Sequence, residues 1–302
     1  MKRASLMSLV AVLLMAGQLT AADIRYQTSG DWFATVAVDG FGWQAPGLPG
    51  VNDNARFNWG GNTVTLAGAA PDVRSLQIGV DESGTLEVNN GGVISTTTST
   101  GNGDVLAGNN NANATGTLTV NTGGIVNVGR ILWAANNNST GFININSGGV
   151  VNVASHLWWG VTGTATVNIS GTLQQNGGIL GLGTSNASTA SGGSATVSIL
   201  DGGLMALNNI SGNPGLPSIQ AGSSIDISGS GQLTLPGDFV GLLTDYANAN
   251  KIGGNGVPGM SNLTIDLTKN PGFTTAYVAI PEPAALLLLG LSLGGILISK
   301  RR

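Results

Sequence analysis

The segment Gly116–Val128, Gly-Thr-Leu-Thr-Val-Asn-Thr-Gly-Gly-Ile-Val-Asn-Val, returns 25 residues later as Gly141–Val153, Gly-Phe-Ile-Asn-Ile-Asn-Ser-Gly-Gly-Val-Val-Asn-Val. Looser copies start at Gly84, Gly163, Gly193 and Gly222, so the steps between starts are 32, 25, 22, 30 and 29 residues. A repeat of about 20–50 residues is the mark of a solenoid or an array. Within each copy apolar and polar residues alternate: Leu118 and Val120, then Val126 and Val128, with Ile143, Ile145, Val151 and Val153 repeating the pattern. A period of two is a strand with one buried face. Gly-Gly pairs at 91–92, 123–124, 148–149 and 202–203 break each copy where a sharp corner needs a positive backbone angle. Helical periodicity is nearly absent from this region. Two or three short strands per copy describe a right-handed parallel β-helix, a solenoid of about seven coils and about 34 Å in length at the spacing of paired strands. A β-propeller competes with this reading, although its blades need roughly 40 residues. An irregular β-sandwich is a further alternative.

Stacking copies with the 25-residue step sets Leu132 on Leu157 and Trp133 on Trp158, and His156 at the position of Ile131. It also puts Asn136, Asn137 and Asn138 among stacked asparagine ladders, in which amides bond from coil to coil. Uneven steps imply loops at the corners, such as 96–104 and 184–193. A solenoid must cover both open ends. Residues 23–59, with Trp32, Phe33, Phe41, Trp43, Phe57 and Trp59, read as an N-terminal cap ahead of a repeat body over 60–235. A C-terminal cap follows over 236–279. In it Phe239, Leu242, Leu243 and Tyr246 have helical spacing, which predicts a short helix within Asp238–Lys251 and strands over 262–267 and 274–280. The Gly-Thr-Leu and Gly-Gly style of the body is similar to the passenger regions of autotransporters.

Only 9% of the 302 residues are charged, yet 41% are apolar and 49 are glycine, which favours ordered β structure over disorder. Residues 23–279 carry fourteen acidic and six basic side chains, a net charge of −8. Nucleic acid is excluded as a main partner, because phosphate binding needs clustered Lys and Arg. The absence of cysteine excludes disulfides and thiolate chemistry.

Residues 1–22 have the form of a secretory signal: Lys2 and Arg3, an apolar stretch from Leu6 to Ala16, and Thr20-Ala21-Ala22 as a signal peptidase site. Residues 284–299 are almost purely apolar, about 24 Å long as a helix, which suits a slightly short transmembrane span. Lys300, Arg301 and Arg302 follow and orient such a span with its basic end cytoplasmic. Pro281, Glu282 and Pro283 stand just before it, kept extended by the two prolines. The order Pro-Glu-Pro, apolar helix, basic residues over 280–302 resembles the PEP-CTERM sorting signal of Gram-negative bacteria. That resemblance implies processing by an exosortase, inner-membrane anchoring before processing, and a destination in the envelope, at the surface or in the extracellular matrix of an exopolysaccharide producer. The expected function is therefore structural or adhesive, with Pro281, Glu282 and Pro283 as a motif for another enzyme.

Chemistry of the chain's own has few candidates. A polysaccharide lyase or hydrolase needs paired carboxylates or acidic calcium ligands on neighbouring coils, whereas 105–200 has no Asp or Glu and Arg130 as its single full charge. Asp81, Glu82 and Glu87 cluster near Gly84 and read as a solvated turn; His156 is the one histidine. No enzyme activity, metal or cofactor is expected. Trp133, Trp158 and Trp159 are the candidates for stacking on sugar rings, which makes a carbohydrate-binding module the alternative function. Since neighbours on a strand point to opposite faces, one of Trp158 and Trp159 should be outward. Asn-x-Ser/Thr triplets at Asn113, Asn138, Asn186, Asn209 and Asn262 have the pattern used in glycosylation.

Overall fold

The computed structural model describes residues 22–34, 43, 47–58, 60–98, 101–185, 192–212 and 217–279. The signal segment through residue 21, Phe41, Trp59, Asn186 and everything from residue 280 on lie outside the described residues. Pro281, Glu282, Pro283, the apolar run 284–299 and Lys300, Arg301 and Arg302 are therefore among those not described.

The alternating segments are strands. Thr115–Val120, Ile125–Val128 and Leu132–Ala134 follow one another in one repeat, and Thr140–Ile145, Val150–Val153 and Leu157–Trp159 do so in the next. Successive repeats pair in parallel, with Gly141 beside Gly116, Val151 beside Val126 and Leu157 beside Leu132. Among the described residues the strands form sheets of seven, eight and ten members, and none closes into a barrel. The chain crosses the ten-stranded, the eight-stranded and the seven-stranded sheet in turn, then begins again.

This rotation lets a period-two strand bury its apolar face, because the inward side chains of all three sheets meet in one core. In the ten-stranded sheet Leu86, Leu118, Ile143, Val167, Val197 and Ile225 form a buried column. Burying each such side chain contributes about 1.5–3 kcal/mol. The columns also fix register. Gly141 pairs with Ala165, and Ala165 with Ala195, so these repeats align two residues later than Gly163 and Gly193 would set them. Turns absorb the difference while the apolar columns stay aligned.

Each corner glycine pair meets two separate needs. Gly91, Gly123, Gly148 and Gly202 have φ between 75° and 79°, the left-handed region. Their partners Gly92, Gly124, Gly149 and Gly203 sit where a Cβ would run into the carbonyl oxygens of Leu66, Val88, Val120 and Ile169 in the preceding repeat.

Strand pairing includes residues 23–57, within the region read as an N-terminal cap. Asp23–Arg25 pairs with Asn54–Phe57, and Gly30–Asp31 with Asn62–Leu66. Four of the aromatics there are inward, since Tyr26, Trp32, Trp43 and Phe57 are buried with ring centroids 4.9–5.5 Å apart, whereas Phe33 is exposed. Trp43 Nε1 donates to the Trp32 carbonyl at 2.8 Å. At the other end the helix Val240–Asn248 buries Leu243, Tyr246 and Ala247. The Tyr246 hydroxyl accepts from the Ser218 N–H at 2.8 Å and donates to the Ile210 carbonyl at 3.3 Å. Thr264–Asn270 and Phe273–Tyr277 then form an antiparallel pair, and the latter runs antiparallel to Gln232–Pro236. That reversal ends parallel stacking in the eight-stranded sheet. Met260–Asn262 is a 3-10 turn, so the expected strand from Asn262 starts at Thr264. Among the described residues no helix is long and apolar enough to cross a membrane.

Candidate functional site

The seven-stranded sheet sorts the three tryptophans by parity. Leu157 and Trp159 point inward and Trp158 outward, as do Leu132, Ala134 and Trp133 one repeat earlier. Trp159 is fully buried, which removes it from any binding face. Its neighbours explain how the core holds so large a ring: it pairs with Ala134, Ala107 lies one strand further on, and Leu182 is on the other side. Small residues on one side make room for the indole at ordinary packing density.

Trp133 and Trp158 share the outer face, both half-buried, with ring centroids 4.6 Å apart at 83°. His156 stacks on Trp158, at 5.0 Å and 29°. Two residues that the sequence reading did not place at a site complete the group. Arg130 Nε donates to Asp104 Oδ1 at 2.6 Å, and a second guanidinium nitrogen bonds Asp104 Oδ2. Trp133 Nε1 donates to Asp104 Oδ2 at 3.4 Å, so Asp104 orients the indole. The signal was present in the sequence: Arg130 is the lone full charge in 105–200, and a half-buried guanidinium needs a carboxylate. Asp104 lies one residue outside that span.

The site's electrostatics follow from these contacts. The hydrogen bond to Asp104 holds the Arg130 pKa above its usual range. Burial, with Arg130 nearby, pushes His156 below its ordinary value. His156 Nδ1 accepts the Ile179 N–H at 3.1 Å, which leaves the proton of the neutral ring on Nε2. The face thus offers indole surface, a neutral imidazole and a neutralised ion pair. Such a surface can stack on the C–H face of a sugar and hydrogen-bond its hydroxyls.

The remaining candidates have local roles. Asp81 lies 3.5 Å from Arg56, and Glu82 accepts the Gly60 N–H at 3.1 Å. Glu87 lies within the strand Gly84–Val88. Among the described residues no three His, Cys, Asp or Glu side chains converge as a metal site requires. Asn137 does bond to the preceding repeat, donating to the Asn109 and Asn110 side-chain oxygens at 3.1 Å each. Longer ladders lie elsewhere: Asn146 donates to Asn121 and Asn121 to Asn89, both at 2.7 Å.

Comparisons with protein-family models, curated proteins and solved structures return no match to this chain. The functional reading therefore rests on its own residues.

Proposed function

We propose that this chain is an exported, non-catalytic structural or adhesive protein, delivered by its Pro281-Glu282-Pro283 segment to the envelope, surface or extracellular matrix of an exopolysaccharide-producing Gram-negative bacterium. The observation that carries the reading is the succession Pro-Glu-Pro, apolar run 284–299, Lys300-Arg301-Arg302, which has the order of a PEP-CTERM signal. A signal-like segment at residues 1–22 supports export by the same route. The body is read as a parallel β-helix, which the rotation of the chain through three parallel-rich sheets supports. Its winding is read as right-handed, the sense that nearly all parallel crossovers share. A long repeat body with few charges suits a passive scaffold, and an exosortase would act on the tail. Replacing Pro281, Glu282 and Pro283 together by alanine should leave the protein in the membrane fraction of its host. Undiminished release of that variant would count against sorting through this segment.

A second reading, a carbohydrate-binding module, is favoured by the Trp133–Trp158 cluster on the outer face. Trp158→Ala should then abolish retention of the exported protein on the host's exopolysaccharide. Equal retention of wild type and variant would remove this reading.

A further inference from the structure

On the eight-stranded sheet, around the corner from the tryptophans, runs a groove of about 940 Å³. We infer that it binds a neutral polyhydroxylated polymer, a polysaccharide strand laid along the stack of repeats. This goes beyond the functions proposed above and uses residues separate from the tryptophan face.

The floor is an outward column of Ser95, Asn127 and Asn152 in register on adjacent strands. Asn127 Nδ2 donates to Ser95 Oγ at 3.2 Å, and Asn152 Nδ2 donates to Asn127 Oδ1 at 2.9 Å. A side-chain amide has two N–H donors and two acceptor lone pairs. The ladder takes one donor from each asparagine and one lone pair from Asn127, so further donors and acceptors remain at each level. They recur at the strand spacing of about 4.8 Å. A surface of regularly spaced neutral donors and acceptors matches a chain of hydroxyl groups.

One wall is made by Thr97, Thr98 and Asn102, and hydrogen bonds pin the backbone beside it. The Thr97 N–H donates to the Val73 carbonyl at 2.9 Å, and the Gly103 N–H to the Arg74 carbonyl at 2.9 Å. The buried Thr96 hydroxyl donates to the Gly103 carbonyl at 2.6 Å and accepts the Gly129 N–H at 2.8 Å. The volume falls in the usual range for ligand sites, about 300–1,000 Å³, and such sites are largely preformed.

Charge selects the class of polymer. Among the described residues an acidic and a basic side chain, Asp72 and Arg74, line the groove and balance each other. The body around it carries −8 over residues 23–279, which disfavours polyuronates and nucleic acids alike. Among the described residues no aromatic side chain lines it, so hydrogen bonding rather than ring stacking would hold the ligand.

The test is affinity electrophoresis of the full chain in detergent, through gels containing dextran, a galactomannan or alginate. At least one neutral polysaccharide should retard the protein, and alginate should not. Ala154→Trp puts a bulky ring at an exposed position of the lining and should weaken retardation about tenfold or more, as should Asn152→Ala, each at the scale of one lost hydrogen-bonding contact. Val257→Ala, at an exposed position outside the groove, should migrate like wild type, and loss of binding in Trp158→Ala alone would instead assign it to the tryptophan face. If Asn152→Ala fails to fold, Ala154→Trp decides, because it leaves the ladder untouched. The inference is overturned if no polysaccharide retards the protein, if alginate alone does, if Ala154→Trp binds as wild type does, or if Trp158→Ala alone abolishes binding.

Discussion

Gly149 has no room for a methyl group, since its Cβ would run into the Val120 carbonyl oxygen of the repeat below. Gly149→Ala should lose about 1–3 kcal/mol, the usual cost of overpacking a rigid site. Gly61 is the control: it is left-handed, at φ 79°, which Gly149 is not, and it opens on empty space. Asparagine tolerates that backbone region, so Gly61→Asn should stay within about 0.5 kcal/mol of wild type in urea unfolding. Glycine pairs were readable in the sequence as corners; that the second of each pair serves backbone contact was not, because that contact comes from a residue 26 to 36 positions earlier. His156 carries a second residue-scale prediction. Burial and Arg130 depress its folded pKa below the unfolded value of about 6.5. As pH falls through that value the unfolded chain takes up the proton first, so the stability from neutral His156 is present above pH ~6.5 and lost below it. Asp201, lowered by bonds from Ser230, and Asp266, lowered by bonds from the Lys269 and Thr268 N–H groups and the Tyr277 hydroxyl, lose theirs only in the more acidic carboxylate range. The urea midpoint should therefore drop between pH 7.5 and 5.5, and His156→Gln should flatten that drop. An unchanged drop in the variant would assign it to other groups.

The strand Leu157–Trp159 places two adjacent tryptophans in opposite environments. Trp159→Ala empties a core position between Ala134 and Leu182 and should cost about 3–5 kcal/mol, read as a fall in Tm. Trp158→Ala should cost less than half as much, because its ring is half-buried on the surface. Equal losses would mean that the two rings do not differ in burial as described. The pairing of Trp133 with Trp158 was legible from the 25-residue step alone, because inward columns of Leu and Val hold the register on either side. Which tryptophan faces out was readable from parity with Leu157. The Asp104–Arg130 pair was not, since it joins residues on neighbouring repeats across a corner. Nor did the aromatics of 23–59 reveal strands, because Tyr26, Trp32 and Phe57 reach the core by tertiary contacts rather than by a repeated pattern.

At the scale of the molecule, parallel stacking runs from Asp23–Arg25 to Ile252–Gly254, and antiparallel strands follow it toward residue 279. The repeat made the parallel, three-strand logic legible, since one strand period and one glycine spacing recur in each copy. The ends were harder to read because terminal repeats depart from the pattern wherever they must cover an open core. The most direct test of the central claim is the intact mass of the protein recovered from the medium and envelope of its native host. The account predicts a mass that lacks residues 1–22 and everything after about Pro283. A mass that retains the tail through Arg302 would mean a plain membrane anchor and would contradict sorting and release.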